Sequence, residues 1–93
     1  MLKRTYEIRY VLYQPEQDYR AIIEGIKVNF PNNQHIAGGT WMIRTVKSAI
    51  DVRETLLPYI DADDQLLVVE VVLNNRASYN LPKRIIEWFK QLF

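Results

Sequence analysis

The sequence contains no cysteine, a single histidine and three glycines. Without cysteine there is no disulfide and no thiolate metal site. With His35 alone, a metal centred on histidine would need carboxylates from distant parts of the chain. No glycine-rich phosphate loop, nucleophile elbow or zinc spacing is present. No apolar run is long enough to span a bilayer. The two early cations, Lys3 and Arg4, have no apolar segment behind them, so the start does not read as a signal peptide. Net charge is only +1, which gives no global field to gather nucleic acid. The expectation is a soluble cytoplasmic protein with no membrane contact. What is present is ordinary for one globular domain: 93 residues, 48% apolar and 25% charged. Charge is spread unevenly. Residues 1–47 hold seven Lys/Arg against four Asp/Glu, and residues 48–93 hold five against seven. That is a faint hint of an anionic partner, or plain scatter.

Lys3 to Tyr13 alternates as a half-buried strand does. Tyr6, Ile8, Tyr10 and Leu12 point one way, while Lys3, Thr5, Glu7 and Arg9 point the other. Val11 and Tyr13 turn the end of the polar face apolar, and such a patch needs a cover. Pro15 and the acids Glu16 and Asp18 lead into a helix marked by Tyr19, Ile22, Ile23, Ile26 and Phe30. Gly25 inside that helix costs about 1 kcal/mol relative to alanine, which suggests a close approach to the sheet. Gln34 to Ala37, the turn Gly38-Gly39 and Thr40 to Thr45 form a tight hairpin. In its second strand Trp41 and Ile43 share one face, and Met42 and Arg44 share the other. Ser48 caps a second helix, with Asp51 three residues on. Ala49, Val52, Arg53, Leu56 and Ile60 mark its inner face, and Pro58 ends it. Leu66 to Leu73 is apolar except for Glu70, so a central strand covered on both faces is expected. A last helix starts at Pro82, with Ile85, Trp88, Phe89 and Leu92 inward.

The order β-α-β-β-α-β-α predicts an α+β domain over residues 1–93 of ferredoxin-like plan, with an added C-terminal helix. Its two main helices would share one sheet face. The other face would be covered by the last helix or by a partner chain.

His35 has the intrinsic pKa of a general acid or base; equally, it can pack on Trp41 across the hairpin. Asp18 can cap its helix or serve chemistry with a partner. Asp61, Asp63 and Asp64 form an acidic turn that lacks the later glycine and glutamate of a calcium loop. Glu70 can pair with Arg44 or Arg9. Arg9, Arg44 and Trp41 are the candidates for holding phosphates and stacking on bases. The same residue types also populate protein interfaces.

Several stretches then combine: Tyr10-x-Leu12-x-x-Pro15-x-Gln17-Asp18-Tyr19, Gly39-Thr40-Trp41-Met42-Ile43-x-Thr45, Ser48-Ala49, Arg53, and Ile60-Asp61-x-Asp63-Asp64-x-Leu66-Leu67-Val68. Over residues 6–70 this ordered set resembles the small bacterial and phage proteins called SinR-like. That group is similar in plan to the CRISPR-associated spacer-acquisition dimer subunit and to the VapD-type endoribonucleases. The resemblance implies a ferredoxin-like homodimer built on open sheet faces. It also implies a metal-dependent phosphodiesterase in which an aspartate at position 11 of each subunit holds Mg²⁺. Here that position is Val11, which can neither ligate magnesium nor activate water. Glu16 replaces the group's usual glycine, and Gly39 its serine.

The resulting expectation is a homodimeric scaffold or nucleic-acid-binding module, with Val11 and Tyr13 at the dimer interface and no metal-dependent nuclease activity. RNA, DNA or another protein is the partner. One alternative is an endoribonuclease using His35, Asp18 or Tyr13, with Mg²⁺ only if nuclease activity persists. Another is a protein-interaction module of a phage or mobile element.

Overall fold

A computed structural model describes residues 2–14 and 19–92. They form a small α+β domain with a four-stranded antiparallel sheet and three α-helices. The elements are β1 (Arg4–Val11), α1 (Arg20–Asn29), β2 (Asn33–Ala37), β3 (Thr40–Thr45), α2 (Ala49–Leu56), β4 (Gln65–Glu70) and α3 (Lys83–Lys90). Among the described residues no helix is long and apolar enough to cross a membrane.

The strand order is β2-β3-β1-β4. β1 is therefore an inner strand, paired with β3 through Ile8↔Trp41 and with β4 through Ile8↔Val68. Its alternation works as the sequence predicts. Tyr6, Ile8, Tyr10 and Leu12 are buried in one cluster with Ile22, Ile26 and Phe30 of α1 and with Val52 and Leu56 of α2. Both helices thus lie on one sheet face, called here the helix face. The Tyr6 hydroxyl leaves this core at its rim and donates to the Lys47 carbonyl (2.7 Å).

Ser48 caps α2, its hydroxyl accepting from the Asp51 N–H (3.2 Å). Pro58 lies in a 3₁₀ turn, Leu57–Tyr59, that ends the helix. Arg53 differs from expectation and is exposed, away from the inner face. Gly25 also differs. A Cβ there would stand 2.6 Å from ring carbons of Tyr59, so the close approach is to the turn after α2, not to the sheet.

The largest correction concerns β4. It is an edge strand, not a central one, and only its helix-face side is sheltered. A continuous apolar run signals two covered faces only where elements pack on both sides of the sheet, and β4 has α2 on one face and no described cover on the other.

The opposite, outer sheet face is half covered. α3 lies across β2 and the near part of β3, burying Ile85, Trp88 and Met42. The Trp88 indole N–H donates to Asn32 Oδ1 (2.9 Å), and an Arg44 Nη donates to the Leu92 carbonyl (3.1 Å). The last helix therefore covers its own sheet, but only over the β2–β3 half.

Candidate functional site

The β1–β4 half of the outer face has no described cover. In-register pairs place Glu7 beside Val69, Arg9 beside Leu67, and Val11 beside Gln65. Val11 is 60% exposed and Leu67 54%. Val69 and Tyr13 add to this apolar strip. Arg9 is its cation, and its Nε lies 3.3 Å from Glu7 Oε2 on the same strand. Leu67 and Val69 were not marked by the sequence as surface residues, because a run of four aliphatics carries no alternation to separate its two sides.

Tyr13 follows the strip. Its N–H donates to Asp64 Oδ1 (2.8 Å), while Asp64 Oδ2 accepts from the Asp61 N–H (2.8 Å). The acidic turn is thus a clamp between the end of β1 and the entry to β4. Both Asp64 oxygens are engaged by backbone donors.

The sequence-derived site residues fall on different faces. Arg9 and Arg44 lie on the outer face. Trp41 lies on the helix face and is 4% exposed. A ring in the core offers no stacking surface, so the grouping of Trp41 with Arg9 and Arg44 is corrected: Trp41 is a core residue. Its indole N–H donates to the Tyr10 hydroxyl (3.2 Å), and the His35 ring packs against it with centroids 4.8 Å apart. The His35 Nε2–H donates to the Gly38 carbonyl across the turn (2.8 Å). His35 thus holds the hairpin. No described hydrogen bond or ring contact joins it to Tyr13. Asp18, the third catalytic candidate, lies outside the described residues.

A divalent cation at position 11 would need oxygen ligands. The surroundings are Val11, Arg9, Gln65, Leu66 and Leu67, lining a hollow of about 330 Å³. One amide oxygen and a guanidinium do not fit Mg²⁺. Among the described residues no group of three His, Cys, Asp or Glu side chains could hold a metal.

A second concavity, of about 540 Å³, lies between α3, the outer face and the segment after β4. Met42, Leu73, Ile85 and Phe89 make it mainly apolar, with Glu7 and Lys90 also lining it. Arg76 stands over the Phe89 ring at 5.5 Å.

Burial raises the pKa of the Tyr10 hydroxyl, an effect opposed by the hydrogen bond from Trp41. The unfolded chain ionises near pH 10, before the folded one does. Stability is therefore fully present below about pH 10 and is lost as pH rises through the higher folded value. Tyr10→Phe is expected to flatten this alkaline loss. It also leaves the buried Trp41 N–H unpaired, at about 1–3 kcal/mol near neutrality. Urea titrations of both proteins at pH 7 and above pH 10 check the two effects. A steeper alkaline decline in the variant would refute the assignment.

Comparison with family models, curated proteins and solved structures finds no match to this chain.

Proposed function

We propose that the chain is a ferredoxin-like homodimeric scaffold of the cytoplasm, without metal-dependent nuclease activity, whose subunits meet on the β1–β4 half of the outer face. The strand order β2-β3-β1-β4, with both main helices on one face, supports the ferredoxin-like plan. The observation that carries the interface is the exposure of Val11, Leu67 and Val69 side by side, where α3 stops short. An apolar strip with one paired arginine and a flanking tyrosine suits a protein surface. It suits a phosphate backbone less well. Arg9 is paired with Glu7, Arg44 is bound at the end of α3, and Trp41 is buried, so no row of free cations and rings remains among the residues proposed for nucleic acid.

The test is solution mass by light scattering. Wild type is expected at no less than twice the 11.1 kDa of one chain. Val11→Asp places an uncompensated carboxylate in each buried patch and is expected to weaken the dimer by at least about tenfold. An unchanged mass for the variant would remove Val11 from the interface. The same samples, mixed with labelled RNA and DNA at low salt, should show neither retention nor cleavage with Mg²⁺. Metal-stimulated cleavage would return the nuclease reading.

A further inference from the structure

The edge of a sheet is a row of backbone donors and acceptors with no partner. This sheet ends on β2 at one side and on β4 at the other. Two hydrogen bonds fix which β4 groups face outward. The Val71 N–H donates to the Thr5 carbonyl (2.9 Å), so Val69, Leu67 and Gln65, in step with Val71, turn their backbone groups toward β1. The Tyr10 N–H donates the other way, to the Gly39 carbonyl beside β3 (3.0 Å), as that alternation requires. The N–H and C=O of Leu66, Val68 and Glu70 therefore point out of the sheet, roughly 7 Å apart. No described backbone group meets them.

The other edge is blocked in part. The Arg44 N–H donates to the Asn32 carbonyl (2.9 Å), so the His35 carbonyl, out of step with it, faces outward. That oxygen accepts from Arg84 of α3 (2.6 Å) and from the Gln34 side chain (3.0 Å). The strand is also bulged between His35 and Ala37. A bulge and a covering arginine keep a foreign strand away. β4 has neither: it contains no proline, glycine, lysine or arginine, and its pairing with β1 is unbroken from Gln65 to Glu70.

We infer that β4 pairs with β4 of a second copy of this chain, antiparallel about a two-fold axis at Val68, joining two sheets into one. Only outward-facing residues can bond to one another, so registers differ in steps of two. With Val68 opposite Val68, Leu66 faces Glu70 of the second copy. On the outer face Leu67 then meets Val69 twice over, an aliphatic pair on each side of the axis. One step in one direction would set Asp64 opposite Glu70, carboxylate to carboxylate. One step in the other would bring the two Glu70 side chains onto neighbouring diagonal positions. The Val68 register avoids both repulsions, and this self-complementarity selects a second copy over an unrelated strand. The inference goes beyond the face contact of the preceding section, since the edge stays free when two outer faces stack.

The test reads amide hydrogen exchange residue by residue, with light scattering on the same samples. In a concentrated sample the amides of Leu66, Val68 and Glu70 are expected to exchange about as slowly as those of Leu67 and Val69. On dilution to monomer they should speed up by at least about tenfold. Val68→Pro and Glu70→Pro each remove an outward N–H and no bond of the internal ladder. Both are expected to lower the mass of the assembly while keeping the far-ultraviolet spectrum of the fold. Should Val68→Pro fail to fold, Glu70→Pro, at an exposed side chain, decides the matter. Fast exchange at Leu66, Val68 and Glu70 in an assembled sample that Val11→Asp dissociates overturns the edge contact and leaves the face contact standing. A folded proline variant of unchanged mass also overturns it. A monomer at every concentration overturns both contacts and leaves the edge to a strand of another protein.

Discussion

Trp88→Ala is expected to destabilise the protein by about 3–5 kcal/mol, the range for deleting a large buried aromatic. Trp88 is buried beneath α3 and is bound at its indole N–H by Asn32. Its ring also meets Phe89 edge-on, with centroids 5.5 Å apart. Alanine removes all three interactions and leaves Asn32 Oδ1 without that donor. Because α3 has only eight residues, it has little intrinsic stability and depends on its buried face. Loss of the anchor is therefore expected to release the helix as well as soften it, baring Met42 and the β2–β3 half of the outer face. Denaturant titration gives the stability change, and binding of an apolar dye reports the bared surface. Trp88→Phe should keep most of the packing and lose about 1 kcal/mol for the hydrogen bond. A loss under 1 kcal/mol for Trp88→Ala would mean that α3 is not docked on the sheet.

Gly39→Ala ranks second, at about 2–4 kcal/mol, combining an overpacking cost with a weakened backbone bond. A Cβ at Gly39 would collide with the Tyr10 carbonyl oxygen. That oxygen belongs to an inner strand and cannot retreat. Relief requires the hairpin to lift from β1, which stretches the bond from the Tyr10 N–H to the Gly39 carbonyl. Gly38 makes the useful contrast. It holds the left-handed conformation (φ +48°), yet a Cβ there meets nothing within 4 Å. Gly38→Ala should cost only about 1–2 kcal/mol of local strain. The order of the two effects therefore inverts the usual expectation that the positive-φ glycine is the sensitive one. Urea midpoints of the pair measure it, and greater damage from Gly38→Ala would refute the close approach. A serine at position 39 would meet the same obstacle, so this hairpin sits closer to β1 than one carrying a side chain could.

Much of the architecture was legible because it rests on local rules. The alternation of β1, the hairpin turn, the Ser48 cap and the stop at Pro58 are each decided within a few residues. The place of β4 was not legible, since an edge and a centre differ by which distant strands pair, and no local pattern encodes that. The split of the candidate site was already present in residue parity. Trp41 and Arg44 are three apart in one strand and so point to opposite faces. The Gly25 contact was missed for another reason: Tyr59 reaches it from a turn whose path depends on where α2 ends.

The inner position of β1 bears on how the chain acquires its fold. β1 is synthesised before every strand it pairs with, and its second neighbour arrives only at Gln65–Glu70. The apolar side chains of Tyr6, Ile8 and Tyr10 are thus made long before the residues that flank them on that side. Such long-range pairing slows folding and prolongs exposure of unpaired strands. A nascent chain halted before Gln65 would carry its raw edge on β1 itself, between Tyr6 and Val11, and that fragment rather than the finished protein is where chaperone capture and aggregation should concentrate.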